Sequence, residues 1–315
     1  MNEQMALGSS NYVMWVVGRG LIGSPIHSAA EHAFSSSKIN WQAASLNDQF
    51  QSDAQRFREF AGDRPWAVVW SAGRGVVGTS ATELANESQA LMAFLTAIAK
   101  HKSSGRGLVV GISSAGAIYA KSTNPPFDEE TEPAPASDYG EAKLEQEQII
   151  ASNAKNLGAS SLILRTANVY GCGQDMQKAQ GLISHLCRTA TTRQSTNLYV
   201  SPDTMRHYIY NLDLAQLVHG AISRTLGKSS PDHIVKIAAT DQSVTVGELV
   251  SLVQRVSKVP MRVGFGSDSR ASAQARDLRL RSRVWPELDD CLDSPLVVGV
   301  KNVLDSFRFP AALAA

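Results

Sequence analysis

The sequence predicts an α/β fold: a doubly wound parallel sheet with helices on both faces and a smaller C-terminal α/β lobe. Three observations point there. Short apolar runs alternate with amphipathic stretches over about the first half of the chain. A glycine-rich turn directly follows the first of those runs. After Gly171 the rhythm breaks into longer loops, shorter runs and scattered helices.

Each element has its own signal. Residues 12–17 read as the first strand, and a helical pattern runs from the glycine turn to about residue 34. A second strand is expected at residues 38–42, then a polar helix over about 48–61. Pro65 introduces a third strand at 66–70, followed by an Ala- and Leu-bearing helix over about 79–100. Residues 107–112, rich in Val and Gly, make the fourth strand. The proline-bearing stretch 121–137 is a loop, 138–157 is helical by its charge spacing, and 160–165 is another strand. Further helices are expected at about 212–226 and 246–257. The chain thus divides into residues 1–171 and 172–315, with segments at about 206–240 returning to the first unit.

Composition sets the bounds. The 315 residues carry 30 basic and 29 acidic side chains, and 43% of them are hydrophobic against 19% charged. That is enough apolar material for a packed core and excludes a wholly disordered chain. A formal net charge of +1 gives no basic face for general nucleic-acid binding, so no nucleic-acid partner is expected. Cys172, Cys187 and Cys291 are too scattered for a disulfide framework, and the 7 histidines form no HExxH pair, so no metal is expected. The polar N-terminus lacks a leader pattern, and no apolar run approaches the ~18 residues of a membrane span. The expected location is a reducing compartment, most simply the cytoplasm.

Gly18, Gly20 and Gly23 form a GxGxxG between a strand and a helix. Glycines there permit a tight turn, let a pyrophosphate approach the backbone and let the helix pack close to the sheet. The expected ligand is a dinucleotide, held by residues 18–23. A carboxylate for the adenosine ribose is expected about 20 residues further on. The end of the second strand, Asn40 to Ser45, has none, while Arg19 sits inside the turn and can pair with a 2′-phosphate. The cofactor expectation is NAD(P), with a lean to NADP(H).

Tyr139 and Lys143 lie at i and i+4, on one face of the helix over 138–157. An ammonium beside a phenol favours the phenolate, lowering a pKa of about 10, so the pair can act as a general base on an alcohol or as an acid on a ketone.

With these residues in place, the sequence resembles the extended short-chain dehydrogenase/reductase family, in particular its NAD(P)-dependent nucleotide-sugar epimerases, dehydratases and reductases. The resemblance covers nearly the whole chain. It rests on Gly18-Arg19-Gly20-Leu21-Ile22-Gly23, on Ser113 to Tyr119 at the end of the fourth strand, and on the Tyr139–Lys143 pair. Leu164 to Gly171 and Arg206 to Asp213 complete the order.

The resemblance implies a Rossmann-type sheet over residues 1–171 and a substrate-binding lobe in 172–315. It implies that Tyr139 transfers the proton and that Lys143 bonds the nicotinamide ribose. A strand-end hydroxyl orients the substrate, with Ser114 the nearest candidate and Ser113 behind it; the place four residues before Tyr119 holds Ala115. Ala72 and Gly73 match the segment lining the cofactor, and Arg74 follows them. Asn168 and Arg206 match residues near a sugar diphosphate, and Asp213 braces the C-terminal lobe. The implied substrate is a nucleoside-diphosphate sugar, and a homodimer through the two long helices is possible. Ala115-Gly116-Ala117 carries no acid pair, which disfavours dehydration and leaves an epimerase or a 4-ketoreductase. A dehydrogenase or reductase of a small non-sugar ketone or alcohol, and a non-catalytic NAD(P)-binding sensor, are the alternatives.

Overall fold

The computed structural model describes residues 11–42, 44–178, 180–266 and 275–309; the N-terminal reading at residues 1–10 lies outside them. From the N-terminus the elements are β1 (Val13–Val17), α1 (Gly23–Ser28), α2 (Leu46–Ala61), β2 (Trp66–Trp70), α3 (Ala81–Lys100) and β3 (Gly107–Ser114). The short α4 (Ala115–Ile118), α5 (Asp138–Leu157), β4 (Ser160–Thr166) and β5 (Asn168–Tyr170) follow. The remainder comprises α6 (Leu182–Thr192), β6 (Ser195–Leu198), β7 (Met205–Tyr210), α7 (Asn211–Leu226), β8 (His233–Ala238), β9 (Ser243–Thr245), α8 (Val246–Ser257), β10 (Arg262–Phe265) and α9 (Leu296–Arg308).

β1, β2, β3, β4 and β8 lie side by side in that order as a parallel sheet of the Rossmann type, with Val13 opposite Trp66 and Ser114 opposite Thr166. Every residue of β1 and β2 is buried because both sheet faces are covered. Met14, Val16 and Val110 point to a core shared with Ile26 of α1 and Leu214 and Val218 of α7. Trp15, Val68 and Val109 point the other way, against Phe50, Phe57, Leu91 and Phe94 of α2 and α3.

The helices start where their caps demand. Ser80 and Glu83 form a reciprocal capping box at α3. Ser137 accepts the Gly140 N–H at the head of α5, and Gly158, at φ +64°, ends that helix in the left-handed conformation. The third and fourth strands expected from sequence are β2 and β3.

Two expectations at the sheet's first edge are corrected. The helix after the glycine turn ends at Ser28 rather than running to residue 34. The strand expected at 38–42 does not form. Instead the Met14 N–H donates to the His32 carbonyl at 2.9 Å and the Phe34 N–H donates to the Met14 carbonyl at 2.7 Å, which makes a single bridge between Met14 and Ala33. That bridge takes the outer bonds of Met14, and Trp41 packs its ring on Phe50 and Trp70 instead, at 6.4 and 6.0 Å. At the far edge, the Ile237 N–H of β8 donates to the Glu129 carboxylate at 2.9 Å.

A third core gathers Ile183 and Leu186 of α6, Leu249 and Val253 of α8, and Val300 and Leu304 of α9, beside the small sheets β5–β7–β9 and β6–β10. Between these elements in sequence, β8 pairs in the main sheet and α7 packs on its face. Asp213 ties the two regions: its carboxylate accepts the Ser294 hydroxyl at 2.6 Å and the Ser294 N–H at 3.2 Å. Among the described residues no helix is long and apolar enough to cross a membrane.

Candidate active site

The three turn glycines do three different things. Gly18 has φ +91°, and a Cβ there would lie 2.4 Å from the Ala72 backbone; at Gly23 a Cβ would meet the Gly18 carbonyl at 2.1 Å. Both are therefore fixed by close packing against β1 and the loop after β2. A Cβ on Gly20 would meet nothing within 4 Å, so that position is exposed and its backbone is open to approach. Ser71 locks the turn by donating its hydroxyl to the carbonyls of Val17 and Gly18 at 3.0 and 2.8 Å. Leu21 and Ile22 are half-buried, Ile22 against the α1 face of the core, and Arg19 is exposed. A cradle of bare backbone bounded by Ala72 and Gly73 fits a dinucleotide pyrophosphate.

Arg19 Nη2 donates to the Phe34 carbonyl at 3.4 Å, so the pairing segment that ends at Phe34 lies beside the turn. Ser35, Ser36 and Ser37 follow it, again with no carboxylate. Arg56 of α2 reaches the Ser37 hydroxyl at 3.2 Å and the Ser35 carbonyl at 3.4 Å, and Asp53 holds it there at 2.8 Å.

At the same C-terminal end of the sheet, two strands along from the glycine turn, β3 and α5 bring Ser114, Tyr139 and Lys143 together. Tyr139 and Ser114 share a hydrogen bond, and Ser114 also accepts the Ala117 N–H at 3.4 Å as the cap of α4. Lys143 is buried, its Nζ 5.9 Å from the centre of the Tyr139 ring and 3.1 Å from the Gln146 side-chain oxygen. The ammonium therefore lies over the ring, and Tyr139 does not show the lowered pKa expected from sequence. Burial first, then the Glu87 carboxylate, push it up to about 12, with the Ser114 bond opposing. Burial lowers Lys143, against the pull of Glu87 and Glu147.

Alternation along β3 separates Ser113 from Ser114: Ser113 lines a small cavity with Lys143 and Glu147, and the Glu147 Oε1 accepts its hydroxyl at 2.6 Å, which leaves Ser114 as the hydroxyl beside Tyr139. Ala115, the position expected from relatives, is buried and bears no hydroxyl. Glu147 also accepts from Arg165 Nη2 at 2.7 Å, and Arg165 Nη1 donates to the Tyr119 hydroxyl at 2.7 Å, which bonds the Asp128 carbonyl at 3.0 Å. Nothing at sequence level singled out Glu147 or Arg165. The signal was available, because Tyr139, Lys143 and Glu147 continue one i, i+4 face.

Asn168 is exposed at the start of β5 and donates to the His207 carbonyl at 3.1 Å. Arg206 on β7 is 9% exposed, its Nη1 donating to the Met205 carbonyl at 2.8 Å. Burial lowers its pKa, with Tyr208 and Asp277 opposing. A buried guanidinium held in this way suits an anionic partner. Arg74 is exposed and faces Asp175 at 3.8 Å.

Residues 18–238 match the NAD dependent epimerase/dehydratase family. The chain belongs to that family. It is 27% identical over 200 residues to the dTDP-4-dehydro-6-deoxyglucose reductase of Escherichia coli, a match covering 64% of this chain and 61% of the reductase. Among solved structures it is similar to the UDP-glucose 4-epimerase of Thermotoga maritima with UDP-glucose, at TM-score 0.77 and 21% identity, covering 95% of this chain and 99% of that one. It is similar too to RMD from Pseudomonas aeruginosa complexed with NADPH, at TM-score 0.74 and 19% identity over 96% and 100% of the two chains. At those identities the structural likeness is one of fold. Two further residues border the far end of the glycine cradle. Glu87 of α3 accepts the N–H groups of Arg74 and Gly75 at 2.5 and 2.8 Å, and Lys178 donates to the Gly73 carbonyl at 3.1 Å.

Proposed function

We propose that this family member reduces the keto group of a nucleoside-diphosphate sugar with NADPH, with Tyr139 as proton donor. One observation carries the direction. The 200-residue match to a named relative is to a reductase of a keto nucleotide sugar, and the buried Tyr139 phenol beside Ser114 holds a proton that it can give to the carbonyl oxygen.

The residues divide the work by place. Gly18, Gly20, Gly23, Leu21, Ile22, Ala72 and Gly73 hold the dinucleotide along the bare backbone. Bound there, the reduced nicotinamide supplies the hydride. Ser114 donates a hydrogen bond to the substrate oxygen, and Tyr139 protonates that oxygen as it gains charge. Lys143, whose ammonium lies over the phenol ring, bonds the nicotinamide ribose. Asn168 and Arg206 take the sugar diphosphate, and the lobe of α6, α8 and α9 surrounds the sugar.

The 2′-phosphate reading gains from the corrected edge. Arg19, the Ser35–Ser37 hydroxyls and Arg56 gather beside the segment that ends at Phe34; Asp53 already pairs with Arg56 and accepts from Ser37, so the exposed Arg19 is the cation that would meet a 2′-phosphate. NADPH is expected to bind about tenfold or more tighter than NADH, and Arg19→Ala to remove most of that preference. Incubation with a 4-keto nucleotide sugar is expected to consume NADPH in step with product; turnover without net NADPH oxidation would identify an epimerase instead.

α3 and α5 lie against each other, with Ser88 donating to Glu145 at 3.0 Å, and leave a groove lined by Leu84, Ala85, Ala142 and Leu144. That face would carry the homodimer. Light scattering is expected to give twice the 33.8 kDa chain mass, and a monomer would remove this assignment.

A further inference from the structure

The Glu87 carboxylate is wedged between the loop after β2 and the phenol. Its Oε1 takes two successive backbone N–H groups, those of Arg74 at 2.5 Å and Gly75 at 2.8 Å. Its Oε2 lies 3.2 Å from where a Cβ on Gly75 would stand, and the Tyr139 ring lies 3.3 Å from that same point. A Cβ on Gly73 would stand 3.0 Å from Oε2. Glycine at 73 and 75 thus leaves room for a carboxylate to reach the loop from α3 and still lie beside Tyr139.

We propose that Glu87 is a positioning residue for the Tyr139–Lys143 pair: it anchors the 73–75 loop beside the phenol and sets a negative charge next to both groups. The charges around the pair come from every element packed on it. α3 contributes Glu87, α5 contributes Lys143 and Glu147, and the loop after β2 contributes Arg74. The 171–181 loop adds Lys178, held on the Gly73 carbonyl, and Asp175, paired with Arg74. Glu87 acts on Tyr139, Lys143 and Lys178 alike, and in each case its charge favours the protonated form. A negative charge next to a proton donor disfavours the phenolate, and next to an ammonium it favours the cation. The two effects have the same sign, so one carboxylate favours the protonated form of both groups, adding to burial at Tyr139 and opposing it at Lys143. The role of Tyr139 as donor is the reading on which this rests.

Glutamine and alanine at position 87 separate the two functions. Glu87→Gln keeps an oxygen for both backbone N–H groups and removes only the charge. Its NADPH affinity at pH 7 is expected to stay within about threefold of the parent. The alkaline limb of that affinity, where Lys143 loses its proton, is expected to move down by about one pH unit, and the alkaline limb of turnover to move with it. Glu87→Ala also frees the loop and is expected to weaken NADPH about tenfold at every pH, while Glu87→Asp keeps the parent's alkaline limbs. Binding is followed by nicotinamide fluorescence, which needs no turnover. A parent that binds NADPH but reduces no keto sugar would therefore overturn the function without touching Glu87. A glutamine variant with the parent's alkaline limb of binding would overturn the role of the charge and leave Glu87 as a loop anchor alone.

Discussion

Tyr139→Phe is expected to cut turnover about a thousandfold while leaving the fold and NADPH affinity in place. The substitution removes one oxygen and keeps the ring that packs beside Gly75 and lies under the Lys143 ammonium. What is lost is the proton donor and its bond to Ser114. Positioned acids contribute about 10²–10⁴ in rate, and a phenol at about 12 has no substitute among the side chains that share its hydrogen bonds. Rapid-mixing measurement of nicotinamide oxidation separates the chemical step from binding. A variant within tenfold of the parent would remove Tyr139 from the chemistry, and one that kept full biological activity would favour a sensor.

The second large effect is on stability. Arg165→Met is expected to destabilise the protein by about 3–5 kcal/mol, the range for breaking a buried pair by removing one partner. Arg165 and Glu147 are 7% and 8% exposed, and three bonds join them: Nη2 to Oε2 at 2.7 Å, and Nε to the two oxygens at 3.1 and 3.2 Å. Without the guanidinium, Glu147 keeps the Ser113 hydroxyl but stays a buried carboxylate, and Tyr119 loses its donor. Adding Glu147→Leu removes the stranded charge and is expected to restore most of the loss. Urea unfolding of the single and double variants measures both. Equal losses in the two would mean that packing around the arginine matters and the charge does not.

The sequence made some of this plain for identifiable reasons. The helix expected at 138–157 is α5 at the same residues, because Ser137 and Gly158 mark both ends with side chains and backbone that only a cap uses. β1 and β2 were legible because strands buried on both faces are continuous apolar runs. The segment 38–42 misled because Ile39 and Trp41 alternate like strand residues, yet pack on the α2 side of the core with no sheet edge to join. Pairing depends on who already holds the partner's hydrogen bonds, and here residues 32–34 hold those of Met14. Tyr139 and Lys143 stood out by spacing within one helix. Glu87 did not, since its position opposite them depends on how α3 packs across α5. The choice between Ser113 and Ser114 needed the pleat direction of β3, which neighbouring serines do not reveal.

The two ends of the sheet bear on how the protein behaves when crowded. An unpaired edge is a template on which another chain can add a strand. Here one edge closes in a three-residue contact at Met14, shielded by Phe34 set edge-on to Trp15 at 5.3 Å, and the other places a carboxylate from Glu129 on the Ile237 N–H. At each edge a backbone group that an incoming strand would need is already bonded. A strand adding at either edge would first have to displace these contacts.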